Sequence, residues 1–196
     1  MYNPPPGDLA SRAPVIFVAP AATIWYRSHR MTDHPIYFGK GMSYRWDSPT
    51  GEYGVLYLGS DAFCAFMESI GRGALRTRFV RRVQVHERGV SQVRNTRELR
   101  LIDLVSSGGL ARIGAEGSLS SGSGYKNSQR WSRALREHPA KPDGIYYYSR
   151  HDPNRTACAL YDHCSSIVEV VGPPTRWDAD PVLLGSILDQ YGFGID

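Results

Sequence analysis

The alternation of apolar and polar residues between positions 54 and 71, GVLYLGSDAFCAFMESIG, predicts a strand followed by a helix. The stretch GVLYLG is short, apolar and rich in β-branched or aromatic side chains, which suits a buried strand. Four apolar residues then follow at helical spacing, and these are Phe63, Phe66, Met67 and Ile70. Ser60 offers an N-cap, Asp61 suits the positive end of the helix, and Gly71 fits its end. Glu68 lies on the flank of the apolar face, where a solvated carboxylate and one that points into a cleft are both open.

Patterns elsewhere in the chain predict a single α+β domain. Strands are expected at 23–29, 77–89, 99–104, 143–149, 156–162 and 165–171, and helices are expected at 128–138 and near the C-terminus. In the second helix Asp180 is the N-cap, Pro181 occupies the first turn and Gly192 ends the helix. The segment 44–54 is rich in turn residues, and 114–127 reads as a mobile loop. We expect a Pro- and Gly-rich arm at 1–22 and a domain at 23–196 with a mixed, largely antiparallel β core flanked by helices.

Length and composition are those of an ordinary globular protein. The 196 residues are 41% hydrophobic and 21% charged, enough for one domain with a hydrophobic core. No apolar run approaches the roughly 20 residues that span a bilayer. The N-terminus does not read as a signal peptide, so a cytoplasmic location is expected.

Cysteine and charge change this picture only slightly. The three cysteines form no C-x-x-C pair, so neither a disulfide framework nor a zinc site is expected. The nearest approach to a metal-binding set is Cys158, His163 and Cys164, which lack a matching second half. The net charge is +4, and arginine supplies 20 of the 23 basic residues. Guanidinium groups bind phosphate bidentately, but charge alone leaves nucleic acid, a phosphorylated small ligand or neither open.

Several common catalytic motifs are missing from the sequence. There is no G-x-S-x-G elbow and no Walker A lysine motif, while GKGMSY and GRGALR lack the third glycine of a dinucleotide fingerprint. Ser149, His151 and Asp152 are too close in sequence to form an ordinary triad. A serine hydrolase, a Rossmann fold and a P-loop fold are therefore not indicated.

Isolated polar residues instead stand beside or at the ends of the apolar segments. They are Arg27, Arg45, Tyr57, Glu68 and Ser149. Each alone has a structural explanation. An arginine can stand on a solvent-exposed strand face or cap a turn, a tyrosine can be a core residue with a hydrogen-bonded hydroxyl, and a serine can end a strand. Together they make a plausible dinucleotide site, with two arginines for a pyrophosphate, an aromatic face for a flat ring, a hydroxyl and one carboxylate.

These residues resemble the RES-domain family, which is named for an Arg, a Glu and a Ser. The matching residues are Arg27 in YRSH, Glu68 in AFMESIG and Ser149 in GIYYYS. Arg45 and Tyr57 match further positions, in a block that runs from an arginine through a turn and LYL to a helix. The resemblance spans about residues 23 to 171, although 72–142 matches only loosely.

The resemblance implies a core like that of ADP-ribosylating toxins and a bacterial toxin that is paired with an Xre-like antitoxin. Such proteins consume NAD+, and some are described as NAD+ phosphorylases, for which inorganic phosphate is a co-substrate. NAD+ would be a substrate, so no cofactor or metal is expected. Contact with nucleic acid is expected only through the antitoxin, and none with a membrane.

The chemistry of NAD+ explains why few residues would suffice. Nicotinamide leaves as a neutral molecule, so one carboxylate can replace the usual acid and carboxylate pair of glycosidases. We expect Glu68 to stabilise the cationic ribose and Arg27 and Arg45 to clamp the pyrophosphate. Tyr57 would bound the nicotinamide end, and Ser149 would bind the nicotinamide ribose or the amide.

Two alternatives stay open at this point. One is transfer of ADP-ribose to a protein, which in arginine-directed transferases often uses a Glu-x-Glu pair. Positions 66 and 70 are phenylalanine and isoleucine, which favours water or phosphate as the acceptor. The other is a non-enzymatic nucleic-acid binder, suggested by the basic stretch RTRFVRR.

Overall fold

A computed structural model gives the fold, and it describes residues 3–122 and 124–196. Within these ranges the strands are β1 (Ile16–Ala19), β2 (Ile24–Arg30), β3 (Val55–Gly59), β4 (Phe79–Val80), β5 (Arg88–Asn95), β6 (Leu99–Asp103), β7 (Gly144–Tyr148), β8 (Thr156–Tyr161), β9 (Val168–Arg176) and β10 (Gly194–Ile195). Helix α1 runs through Ala62–Phe66, a π-turn at Met67–Gly71 and Arg72–Ala74. The other α-helices are α2 (Arg82–Glu87), α3 (Gly109–Ile113), α4 (Ser118–Ser121), α5 (Tyr125–Arg136) and α6 (Pro181–Tyr191), with short 3-10 helices at Leu9–Ser11, Asp162–Ile167 and Trp177–Ala179. None of the described helices has the length and apolarity needed to cross a membrane.

One eight-stranded sheet organises the domain, in the order β1-β6-β7-β8-β3-β2-β5-β9. All neighbours in it are antiparallel except β6 and β7, which are parallel and joined by the crossover that contains α3, α4 and α5. Strands β4 and β10 form a separate parallel pair. This architecture confirms the predicted α+β class with a mixed, largely antiparallel core.

Helices bury their apolar stripes against this sheet. Trp131 and Leu135 of α5 are buried in one cluster with Ile145 of β7. Phe66 and Ile70 of α1 are buried in another, which also receives residues of α6. Burial of a large apolar side chain contributes roughly 1.5–3 kcal/mol, so these contacts fix both helices on the sheet.

The segment 54–71 is a strand and a helix, as predicted, but both predicted helix ends are wrong. Asp61, not Ser60, is the N-cap, because its Oδ1 accepts the N–H of Cys64 at 2.8 Å. Ser60 instead continues the pairing of β3 with β8 by donating its N–H to Thr156 O. Gly71 has helical backbone angles, and the helix continues to Ala74. Gly71 is a close-packing residue, since a β-carbon there would collide with Met67 Sδ.

The prediction of a continuous strand at 77–89 is also wrong. The segment contains the short β4, helix α2 and only the beginning of β5. Residues at alternate positions of this segment do not share one buried face, because Val85 is buried but Val83 is 48% exposed. In so short a segment, periodicity does not distinguish a helix from a strand. Val85 packs in the same buried cluster as Trp177, and this packing selects the helix.

Other predicted boundaries differ to varying degrees. Strands predicted at 23–29, 99–104, 143–149 and 156–162 are confirmed within one residue at each end, and the C-terminal helix has the predicted cap and end. The strand predicted at 165–171 begins later, at Val168, after a 3-10 helix. The predicted loop at 114–127 holds α4 and the first turn of α5, and Ser123 in it lies outside the described residues.

Residues of the predicted arm lie against the domain. Strand β1, which was not predicted, pairs with β6 at the edge of the sheet. Leu9 is buried, and Asn3 O accepts the indole N–H of Trp131 at 2.9 Å. His138, the last residue of the helix predicted at 128–138, lies just beyond α5, with Nε2 3.1 Å from Leu9 O.

Candidate active site

A cleft opens where two neighbouring strands of the sheet diverge. Strand β2 pairs with β5 from Ile24↔Arg94 to Arg30↔Arg88, but it pairs with β3 only at Tyr26↔Gly59. The cleft has a volume of about 500 Å³ and is lined by residues 26–30, 57–59 and one side of α1. Four of the five predicted site residues line it, namely Arg27, Arg45, Tyr57 and Glu68, and Ser149 contacts Glu68.

Glu68 reaches the cleft from the π-turn of α1. A π-turn adds one residue to a helical turn and so rotates the side chains that follow, and such turns often occur at functional sites. The half-buried Glu68 accepts two hydrogen bonds on Oε1, from Ser149 Oγ at 2.5 Å and from the N–H of Arg150 at 3.1 Å. In the described part of the chain no donor bonds Oε2. One carboxylate oxygen is therefore fixed while the other is left for a ligand.

Ser149 is 2% exposed and follows the last residue of β7. Its N–H donates to Arg155 O at 2.9 Å, which closes the turn between β7 and β8. Its hydroxyl is directed to Glu68. The triad-like reading of Ser149, His151 and Asp152 finds no support, because Asp152 bonds Arg155 and Tyr191 instead.

A polar clamp holds this turn against α1. Arg155 pairs with Asp61, the N-cap of α1, and its Nε donates to Asp152 Oδ2 at 2.9 Å. Tyr191 of α6 donates its hydroxyl proton to the same Asp152 oxygen at 2.5 Å. The turn is thus bonded to the start of α1 through Asp61 and, two turns later, to Glu68.

Arg27 extends from β2 into the cleft and is half-buried. Its Nη1 donates to Tyr37 O at 3.0 Å, and within residues 3–122 and 124–196 no carboxylate oxygen lies within the 4.0 Å of an ion pair. Burial lowers the pKa of Arg27 to about 10, against a smaller opposing effect of the Asp33 charge. The side chain is charged at neutral pH and keeps free donors for an anion.

Arg45 is buried beside the cleft but its terminal nitrogens are engaged. Nη1 donates to Leu119 O at 3.0 Å and Nη2 donates to Gly122 O at 2.7 Å. Its guanidinium carbon lies 5.1 Å from the centre of the Tyr125 ring. Burial lowers the pKa of Arg45. Arg45 therefore contributes positive charge to the cleft and holds α4 and the start of α5 beside it.

Tyr57 presents its ring to the cleft, because its hydroxyl is already bonded. The hydroxyl donates to Asp47 Oδ1 at 2.8 Å and accepts the N–H of Trp46 at 2.9 Å. Burial and the Asp47 carboxylate hold the pKa of Tyr57 well above its usual value. The ring packs edge-on against Tyr44, with centroids 5.7 Å apart. An aromatic wall is thus available for a flat ligand.

Sequence reasoning missed much of the positive charge in the cleft. Four more arginines line it: Arg30, Arg72, Arg88 and Arg150. No described carboxylate forms an ion pair with any of the six arginines of the cleft. Proximity in sequence could have found two of them, since Arg72 comes one helical turn after Glu68 and Arg150 follows Ser149. The potential of such a cleft attracts anions.

Potential metal ligands lie elsewhere. Ligand atoms of Asp143, His163 and Cys164 lie within 4.8 Å of one another, whereas the predicted nearest set contained Cys158. Asp143 already accepts two hydrogen bonds from Arg97, at 2.7 and 2.9 Å. Burial and the Asp143 charge raise the pKa of the Cys164 thiol, which opposes the thiolate that a metal needs. These contacts suit an ion pair better than a metal site.

Comparison with known proteins places this chain in a family. The sequence matches the RES domain over residues 22–180, and the chain belongs to that family. No curated protein matches it. Among solved structures it is similar to a chain of the M. tuberculosis MbcT–MbcA toxin–antitoxin complex, with a TM-score of 0.64 and 12% identity over 88% of this chain and 92% of that one. At this identity the likeness shows a shared fold.

Proposed function

We propose that this protein is the toxin of a toxin–antitoxin module and that it consumes NAD+ by cleaving the bond between nicotinamide and ribose. The observation that carries the proposal is the Glu68 carboxylate, held by Ser149 and by the N–H of Arg150 in a cleft lined by six arginines. Membership of the RES family supports it, as does the likeness in fold to a chain from a toxin–antitoxin complex.

The proposed reaction needs little beyond one oriented carboxylate. The nicotinamide nitrogen carries a positive charge, so the ring leaves as a neutral molecule and no general acid is required. The C–N bond electrons leave with nicotinamide, and positive charge develops on the ribose. Glu68 stabilises that charge with the carboxylate oxygen that Ser149 and Arg150 leave free.

The remaining residues would bind and orient the dinucleotide. Arg27, which has free donors and no carboxylate partner among the described residues, binds the pyrophosphate. Arg45 adds positive charge to the cleft. It also holds α4 in place, because its terminal nitrogens donate hydrogen bonds to the carbonyl oxygens of Leu119 and Gly122. The ring of Tyr57 bounds the nicotinamide end. Ser149 acts on the substrate through Glu68, which it orients.

Water or inorganic phosphate is the acceptor in this proposal. Transfer to a protein arginine often uses a second carboxylate two residues from the first, but Phe66 and Ile70 are both buried and apolar. Attack by water gives ADP-ribose, and attack by phosphate gives ADP-ribose 1″-phosphate. No observation at the site favours the protein-modifying or the nucleic-acid-binding alternative.

The partner in this proposal is an Xre-like antitoxin that restrains the activity until it is removed. A protein that drains NAD+ would arrest its host unless a partner restrained it. Expression of the protein alone should therefore stop growth and lower cellular NAD+. Vigorous growth with abundant soluble protein and normal NAD+ would count against the toxin assignment.

The deciding experiment is incubation of the purified protein with NAD+, with and without inorganic phosphate, and identification of the products by mass spectrometry. Release of nicotinamide is expected without added metal. Glu68→Gln, prepared in the same way, controls for contaminating enzymes. If folded wild-type protein releases no nicotinamide, or if a chelator abolishes release and zinc restores it, the proposal is wrong.

A further inference from the structure

Three arginines form a second positive group in the cleft, apart from Arg27 and Arg45. Arg30 and Arg88 lie directly opposite each other at the end of the antiparallel β2–β5 pair. Arg72 lies at the end of α1, where its guanidinium carbon is 5.3 Å from the centre of the Tyr44 ring. All three line the cleft, and we name them the distal arginine cluster.

Fold stability does not explain this arrangement. Like charges directly opposite each other on neighbouring strands destabilise a sheet. Burial lowers the pKa of Arg88, and the charges of Arg30 and Arg72 lower it further, so Arg88 lies within the electrostatic reach of both. Seven arginines elsewhere form ion pairs with carboxylates, but in the described ranges no member of the distal cluster does.

The distal arginine cluster neighbours the arginine proposed to bind the pyrophosphate. Asp33 and Tyr44 both act on the pKa of Arg27 and on that of Arg88, so the two arginines share surroundings. Asp33 also lines the cleft and acts on Arg88, and the three arginines together with this one carboxylate carry a net charge of +2. A dinucleotide bound through its pyrophosphate would meet this excess charge next.

We propose that the distal arginine cluster is a second phosphate subsite that takes the 2′-phosphate of NADP+, so that the protein acts on both NAD+ and NADP+. A phosphate monoester is a dianion with three acceptor oxygens, and arginines bind it with bidentate, charge-assisted hydrogen bonds. Free inorganic phosphate offers the same chemistry. The assignment of the ligand rests on the proposed function, which puts a pyridine dinucleotide in the cleft.

Binding of nucleotide fragments tests the subsite without turnover. Calorimetry would compare adenosine 2′,5′-bisphosphate, 5′-AMP and inorganic phosphate on the wild-type protein. The bisphosphate should bind at least about tenfold more tightly than 5′-AMP, and the difference should shrink as salt is raised. In Arg88→Gln and in Arg30→Gln the two nucleotides should bind within about twofold of each other. Arg130→Gln, which changes an exposed arginine on α5, should keep the wild-type preference.

Each outcome supports or overturns the subsite. Equal binding of the two nucleotides overturns it, as does a preference that survives in both folded variants. Inorganic phosphate that binds through Arg30 and Arg88, with no gain for the bisphosphate, would make the cluster a free-phosphate site and overturn the NADP+ assignment. A preference for the bisphosphate without cleavage of NAD+ would reject the proposed reaction but keep the subsite. Cleavage of NAD+ without that preference would reject the subsite alone.

Discussion

Ser149 Oγ donates a hydrogen bond to Glu68 Oε1 at 2.5 Å, although the two residues are 81 positions apart in the chain. The bond joins the end of β7 to the π-turn of α1, and the N–H of Arg150 supports it from the same turn. A carboxylate with one oxygen held in this way cannot rotate freely, so the second oxygen has a defined position. Such preorganisation is what electrostatic stabilisation of a transition state requires.

Glu68→Gln should lower kcat for NAD+ cleavage by about 100- to 1000-fold, because removal of one preorganised electrostatic contact typically costs that much. The affinity for NAD+ should change little, since the contact strengthens only as ribose becomes cationic. Steady-state kinetics with circular dichroism would measure both effects. Glu98→Gln alters an exposed glutamate and should leave kcat unchanged. Wild-type turnover in folded Glu68→Gln would remove Glu68 from the chemistry.

Ser149→Ala should lower kcat by about 10- to 100-fold, which corresponds to the roughly 1.5–3 kcal/mol of a hydrogen bond to a charged group. The loss should be smaller than that of Glu68→Gln, because the N–H of Arg150 still bonds Oε1. Ser186→Ala, on the exposed side of α6, is the matched control. A larger increase in KM than decrease in kcat would mean that Ser149 contacts the substrate directly.

Arg155 is predicted to be a positioning residue. Arg155→Gln breaks its pairs with Asp61 and Asp152, which should let the 149–155 turn drift from α1. Because small displacements of a reacting group are costly, kcat should fall about tenfold while KM stays within about twofold. Tyr191→Phe removes only the hydroxyl bonded to Asp152 and should act in the same direction more weakly. A lower melting temperature with unchanged kcat would leave the clamp with a structural role only.

The fold class and the main strands could be predicted because short apolar runs and capping residues are local signals. The predicted Asp180 cap holds, since its side chain accepts the N–H of Leu183, and Gly192 ends the helix in a left-handed conformation. Helix α2 could not be predicted in this way. Its six residues are too few for a periodicity, and contacts with distant Trp177 decide its conformation.

The sequence predicted residues that the fold brings to one cleft, but not their contacts and not four of the arginines beside them. Arg27, Arg45, Tyr57, Glu68 and Ser149 all lie in or beside one cleft. The π-turn under Glu68 has no sequence signature that separates it from an ordinary helix. The occupation of Arg45 by the carbonyls of Leu119 and Gly122 depends on a long-range approach of α4. Roles that depend on such contacts require the three-dimensional structure.

Asp143 should stabilise the fold in a pH-dependent way. Burial alone would raise the pKa of its carboxyl, but His163, whose Nε2 lies 3.7 Å from Oδ1, and hydrogen bonds from Arg97 and the N–H of Arg100 outweigh burial and hold it well below its usual value. A carboxyl whose pKa is lower in the folded state stabilises the protein above the unfolded pKa of about 3.9. That stabilisation is lost as the pH falls below this value toward the folded pKa.

Asp143→Asn should therefore lower the free energy of unfolding by about 1–3 kcal/mol between pH 5 and 8. The difference from wild type should shrink as the pH falls from about 4 to 2, because Asp143 in the unfolded chain then takes up a proton that the folded protein binds only at lower pH. Urea unfolding followed by circular dichroism would measure it. Asp189→Asn, on an exposed part of α6, should show little change. A difference that grows toward low pH would contradict the assignment.

Arg27→Lys should weaken NAD+ binding because lysine keeps the charge but loses the planar fork that binds phosphate bidentately. Arg27 lies on β2, and its Nη1 donates a hydrogen bond to Tyr37 O. The single ammonium group of a lysine cannot both keep that hydrogen bond and bind a pyrophosphate bidentately. The expected result is a roughly tenfold higher Kd, of the order of one charge-assisted hydrogen bond, with kcat at saturation changed less.

Calorimetry with NAD+ and with ADP-ribose separates the two ends of the ligand, since a loss at the pyrophosphate should be equal for both. Arg112→Lys, on the exposed face of α3, is the matched control. Unchanged Kd for both ligands in folded Arg27→Lys would take Arg27 out of the binding site, and a loss confined to NAD+ would move it to the nicotinamide end.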